Sequence, residues 1–209
     1  MKLVFLGTPG AGKGTVAYAV ERAFGIMQIS TGELLRAAIQ CETELGIHAK
    51  YYMDDGNLVP DDLVMALLKQ HIDASECKSG YILDGFPRTI PQAEALIEAE
   101  IQIDRVVDFA MEDDLIIHRL SGRRIHRETG RVYNVNSDGH PQPPDDIEDD
   151  MLVLRKDDRP DAIQTRLKVY HEQTEPLVEF YQQRNLLLQL DGAKPSDVLC
   201  EEIRVALGR

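Results

Sequence analysis

The chain has no tryptophan, only three cysteines, and aromatic residues amounting to 6%. Cys41, Cys77 and Cys200 are odd in number and far apart, with no C-x-x-C pair among them. That pattern excludes a disulfide framework and predicts reduced thiols in a cytoplasmic protein. Long apolar runs are missing as well, so no segment reaches transmembrane length. Met1 and Lys2 lead straight into a short strand-like run, a start too abrupt for a signal peptide. Positive charge is scarce: 23 Lys and Arg stand against 36 Asp and Glu, for a net charge of −13. This deficit argues against a general nucleic-acid binder or a protein held on anionic membranes, both of which need a positive field. A polyphosphate ligand would have to be drawn in by a local basic cluster, against the field of the whole chain.

What is present suffices for a core. The 209 residues are 43% hydrophobic and 28% charged, which fits one domain, with or without insertions. Four short apolar runs, at 2–7, 80–85, 105–111 and 185–190, have the uninterrupted pattern of strands buried on both faces. Helical spacing follows each of several turn signals. Val16, Val20, Ala23 and Phe24 precede Gly25, and Leu63, Val64, Leu67, Leu68 and Ile72 follow "PDD". Ile163, Leu167 and Tyr170 follow Pro160, and Val198, Leu199, Ile203 and Leu207 close the chain. Alternating strand and helix predicts an α/β fold with a parallel sheet. Two stretches break the rhythm: 30–59 is helical without a clear strand, and 122–158 is polar and rich in turn formers.

The stretch "GTPGAGKGT", residues 7–15, follows the first apolar run and opens a helix. Its glycines allow backbone conformations closed to residues with a Cβ, so successive N–H groups can converge on one anion at a helix N-terminus. The spacing G-x-x-x-x-G-K is intact, and Lys13 would reach the outer phosphates. The usual hydroxyl after the lysine is displaced: Gly14 stands there and Thr15 follows. The loop marks a nucleotide site with metal coordination that relies less on this side chain and more on phosphates and water.

Three further stretches narrow the reading: "ISTGELLR" (29–36), "LDGFPRTIPQ" (83–92), and "GRR" (122–124) with "RKDD" (155–158). Together with the glycine loop they make the chain resemble the adenylate kinase family, in its long-lid bacterial form, from Met1 to about Pro195. The resemblance implies an α/β, P-loop NTPase-like fold with a five-stranded parallel sheet flanked by helices. It divides the chain into core (1–29, 60–121 and 159–209), a small helical AMP-binding insertion (30–59) and a lid (122–158). By position, Thr31, Arg36, Arg88 and Gln92 would hold AMP. The backbone of Asn57, Leu58 and Val59 would lie along its base, and the Gly85, Phe86, Pro87 turn beneath it. Gly10, Ala11, Gly12, Lys13, Gly14 and Thr15 would hold ATP phosphates. Arg119 and Arg123 would meet ATP from the lid hinge, with Val132 and Tyr133 near by and Lys194 close to its adenine. Arg155 and Arg166 would bridge donor and acceptor phosphates, and Asp84 would orient waters on Mg²⁺.

The family's reaction transfers the terminal phosphoryl group of ATP to AMP, giving two ADP. Arginine suits this chemistry because its planar fork pairs with phosphate oxygens and keeps its charge. An AMP oxygen is already ionised, so no general base is needed, and a closing lid would exclude water. The resemblance implies a monomer with ATP, AMP and ADP as partners. Some relatives carry four zinc-binding cysteines in the lid. Here those places hold His126, Thr129, Asp146 and Asp149, so a hydrogen-bonded cluster is expected in place of structural zinc. Thr31 is also placed to N-cap a helix at 32–41. Two rivals stay open on sequence alone: another acceptor such as UMP, CMP or GMP, and a P-loop switch that transfers nothing to a second nucleotide.

Overall fold

The computed structural model describes residues 1–72, 77, 79–136, 142–144 and 147–208. In chain order the described strands are β1 (Lys2–Gly7), β2 (Met27–Ser30), β3 (Tyr81–Asp84), β4 (Arg105–Ala110), β5 (Arg123–His126), β6 (Val132–Asn134), β7 (Leu152–Val153) and β8 (Leu187–Asp191). The helices are α1 (Lys13–Phe24), α2 (Thr31–Gln40), α3 (Glu44–Asp54), α4 (Asp61–Ile72), α5 (Ile90–Glu98), α6 (Asp113–Gly122), α7 (Pro160–Val169), α8 (Pro176–Gln182) and α9 (Ser196–Ala206).

Five strands form one sheet in the order β2-β3-β1-β4-β8, every neighbour parallel. Strand alternation sends side chains of β1 to opposite faces. Leu3 and Phe5 pack with Val16, Val20 and Leu199 on one face, while Val4 and Leu6 pack with Leu68, Leu96 and Leu177 on the other. Both faces are covered, which is why these strands read as unbroken apolar runs. The central strand β1 has β3 on one side and β4 on the other, so the chain reverses its winding direction there. The C-terminal ends of strands beside such a reversal form a crevice where α/β proteins bind ligands.

The structure adds a fifth core strand to the four runs. β2 has only Ile29 fully buried and lies at the sheet edge, so it carries little apolar signal. The 122–158 segment contains a second sheet, antiparallel, in the order β6-β5-β7. The helix after Pro160 departs from regular spacing at Tyr170, where the chain widens into a π-helical turn through Thr174. The expected cap is also corrected. Ser30, not Thr31, is the N-cap of α2, and Thr31 is its first residue. The Thr31 hydroxyl is turned away to donate to the Gly85 carbonyl at 3.0 Å.

Candidate active site

The glycine loop joins β1 to α1. Gly12 is the N-cap of α1 with φ 84°, a left-handed conformation that a Cβ would strain. The turn leaves the first N–H groups of α1 facing the crevice, where they and the helix dipole favour an anion. Ala11 adds nothing to the crevice wall, because its methyl group is buried in the core. The Lys13 ammonium folds back and donates to the Gly7 and Thr8 carbonyls at 2.7 and 2.8 Å. Burial lowers its pKa to about 8, partly offset by Asp84 and reinforced by Arg88 and Arg166.

Asp84 ends β3 beside this loop and is 9% exposed. Its Oδ2 accepts a hydrogen bond from Gln28 Nε2 at 3.0 Å. A Cβ built on Gly14 would stand 3.6 Å from the same oxygen, an ordinary contact distance. Where a serine or threonine would otherwise follow the lysine, the Asp84 carboxylate therefore borders the space.

The turn after β3 is fixed by its own peptide groups. Gly85 has φ 81°, and a Cβ there would lie 2.9 Å from Arg88 Nη2, so only glycine lets the guanidinium fold over the turn. Arg88 Nε donates to the Gly85 carbonyl at 2.7 Å, and the Phe86–Pro87 peptide is cis. The Arg88 N–H donates to Gln92 Oε1 at 2.6 Å, and its carbonyl accepts from the Thr174 hydroxyl at 2.8 Å. Burial lowers the Arg88 pKa, with Asp84 opposing that shift.

The remaining arginines come from other parts of the chain, and all but Arg119 pair with carboxylates. Arg123, the first residue of β5, donates through Nε and Nη2 to the two oxygens of Asp158 at 2.7 and 2.5 Å. Arg166, on α7, donates to Asp158 Oδ1 and Asp157 Oδ2, both at 3.1 Å. Asp158 is 1% exposed and so serves two guanidinium groups inside the protein. Burial opposes the Arg123 charge, yet Asp158 raises its pKa above the ordinary value. Arg166 and Arg155 are each lowered to about 10, chiefly by burial; Arg123 pushes both further down. Arg36 donates to Glu33 at 2.5 Å, and Arg155 lies 3.6 Å from the same carboxylate oxygen. Arg119 donates to the Gly192 and Ala193 carbonyls at 3.1 and 3.4 Å, tying α6 to the segment after β8.

These groups surround one cavity of about 1010 Å³ between the ends of the core strands, α2, and the β5–β6 hairpin. Of the residues expected from the sequence, all line it except two. Ala11 is one. Lys194 is the other: its ammonium donates to Glu202 at 2.5 Å on the protein surface. The cavity is also lined by residues not expected there from the sequence, among them Gln28, Asp157 and Tyr170. "RKDD" contained the signal for Asp157 and its neighbour Asp158, since adjacent acids in an arginine-rich site can act as counter-ions.

In the hairpin, His126 Nδ1 accepts from the Thr129 N–H at 3.3 Å, a bond local to the turn. Asp146 lies outside the described residues, as does the side chain of Asp149. Among the described residues no group of three His, Cys, Asp or Glu is placed to hold a metal ion. None of the described helices is long and apolar enough to cross a membrane.

A lysine on the glycine loop and several arginines from other segments face one crevice, a set of cations whose chemistry suits phosphoryl groups. The sequence model of the adenylate kinase family matches residues 5–186, most of the chain, and spans the glycine loop, the Arg88 turn, Arg119, Arg123, Arg155 and Arg166. The chain therefore belongs to the adenylate kinase family, nucleoside monophosphate kinases that bind adenine nucleotides and pass a phosphoryl group between them.

Proposed function

We propose that this enzyme transfers the terminal phosphoryl group of ATP to AMP, forming two ADP, as a cytoplasmic monomer of the long-lid type. The observation that carries the reading is the convergence of Lys13, Arg36, Arg88, Arg123, Arg155 and Arg166 on a single cavity. Two nucleotides bring several like charges together, and the transition state spreads charge over the oxygens of the moving group. Fixed positive groups from separate segments lower that barrier by positioning and electrostatics. Lys13 and the loop N–H groups take the ATP phosphates. Arg36 and Arg88 take the AMP phosphate, and Arg123, Arg155 and Arg166 lie where the two meet. Thr31, the 57–59 backbone and Gln92 would face the acceptor base. Arg119, Val132 and Tyr133 would face the donor.

Backbone carbonyls of the glycine loop and the Arg88 turn, with Glu33, Asp157 and Asp158, hold these cations. An arriving phosphate replaces some of those partners, so the charged side chains are already close to their working positions. The 122–158 segment acts as a lid that excludes water, the competing acceptor, as it closes.

The residues at the loop fit a magnesium ion accompanying ATP. Their donors are hard oxygens and few: the Asp84 carboxylate beside Gly14, and the Thr15 hydroxyl. Such a set suits an ion that keeps phosphate and water as its main ligands, with Asp84 acting through water. When bound, Mg²⁺ would neutralise part of the phosphate charge.

A coupled assay that ranks AMP, UMP, CMP and GMP as acceptors tests the reading. AMP is expected to lead, with ADP formed from both substrates. Preference for a pyrimidine acceptor would overturn the assignment of AMP.

A further inference from the structure

Gln92 is 3% exposed and sits on α5 with its amide held at both ends. Its Oε1 accepts from the Arg88 N–H at 2.6 Å. Its Nε2 donates to Asp61 Oδ1 at 2.5 Å. An N–H can only donate and an ionised carboxylate can only accept, so a single orientation of the amide satisfies both neighbours. Each polar atom then keeps one position unused by these bonds: a lone pair on Oε1 and a hydrogen on Nε2.

Asp61 comes from a different part of the chain. It opens α4, directly after the 57–59 segment that lines the cavity, and it lies outside the cavity wall. Its own side faces a surface hollow of about 480 Å³ bordered by Pro60, Thr89, Pro91 and Glu172. The Asp61–Gln92 bond therefore passes through the wall between that hollow and the cavity, from an exposed carboxylate to a buried amide.

We propose that Asp61 is a positioning residue that sets acceptor-base specificity by locking the Gln92 amide in one orientation. The inference rests on the reading that Gln92 faces the acceptor base. A 6-aminopurine presents a donor at its 6-position and an acceptor at N1, which complement Oε1 and Nε2 in that order. A 6-oxopurine presents an acceptor and a donor, which meet the same two atoms with like against like. Discrimination of this kind works because the wrong base leaves polar groups unpaired in a buried site. Asp61 also stands in the first turn of α4, where an acid favours the helix N-terminus. That role would affect stability but not the choice between bases, so the two roles separate experimentally.

The test compares kcat/KM for AMP and for inosine monophosphate, its 6-oxo analogue, in wild type, Asp61→Ala, Asp61→Ser and Gln92→Ala. Asp61→Ser keeps a residue suited to a helix start and covers the case in which alanine unfolds the protein. Both Asp61 variants are expected to lower the AMP-to-inosine preference ~tenfold, as one net hydrogen bond allows. The KM for ATP should stay within about twofold of wild type, since the donor loop is untouched. If Gln92→Ala lowers the preference while the Asp61 variants keep it, the Asp61 inference is overturned and the Gln92 reading stands. If Gln92→Ala itself keeps the preference, the reading of Gln92 fails and the inference falls with it. Equal losses with both acceptors in the Asp61 variants would assign Asp61 to helix stability alone.

Discussion

The five-stranded sheet and the three-stranded sheet of the 122–158 segment are held by different forces. In the first, Val4, Ile82, Val107 and Phe109 are 0% exposed and apolar groups cover both faces. In the second, Val132 is 45% and Val153 38% exposed, while Tyr133 and Asn134 of β6 are buried. Asn134 Nδ2 donates to the Arg119 carbonyl at 2.9 Å, and Arg123 pairs with Asp158, so polar contacts anchor this sheet. The charged groups differ too. Lys13 and Arg88, on the core, are held by backbone carbonyls, while Arg123 of the second sheet is held by the Asp158 carboxylate, which it shares with Arg166 of α7. A sheet with little apolar burial of its own contributes less to holding the fold together than one covered on both faces.

The contrast can be broken most directly at Arg88. Arg88→Ala should reduce kcat by ~10³ or more, because one transition-state arginine carries that much. The thermal midpoint should barely move, since the backbone around it is fixed by bonds the substitution spares. Near-normal turnover would remove the acceptor site from this turn.

Next comes stability. Phe109→Ala should cost ~3–5 kcal/mol in chemical denaturation, whereas Val153→Ala should fall within ~0.5 kcal/mol of wild type. Similar losses at the two positions would erase the difference between the sheets.

The smallest expected effect is a pH dependence at the glycine loop. The Lys13 pKa is lowered to about 8 in the folded chain from an ordinary 10.5. Between these values the unfolded chain binds more protons, so the stability of the ligand-free protein rises with pH across that window. Affinity for ATP moves the other way, because the ammonium loses its charge above the folded pKa. KM for ATP should therefore bend upward above about pH 8, approaching ~tenfold per unit. Lys13→Arg should flatten the bend, and a wild-type profile that is flat to begin with would show that the lysine is not the titrating group.

Much of this was legible from residue order. Four of the five core strands were visible because burial on both faces demands unbroken apolar runs. β2 was not, since an edge strand of four residues with one buried side chain leaves almost no pattern. The glycine loop was readable because its chemistry is local, Gly12 depending on near neighbours, and the Arg88 turn was readable through the resemblance that "LDGFPRTIPQ" carries. The second sheet was hidden, as its strands run two to four residues and lie among polar turn formers. Family membership also removes one rival left open by the residues alone, the P-loop switch without a second nucleotide.

Lys194 shows the opposite case, a residue whose expected place depends on contacts from another element. Here the ammonium is drawn to Glu202 on α9. Residue order determined the alternation of elements, the phosphate loop and the stock of arginines, because each follows from spacing along the chain. The tertiary structure alone decided which carboxylate neutralises which arginine and that Asp61 reaches Gln92 across 31 residues. Those pairings depend on how separate elements meet in space, and spacing along the chain carries no record of that.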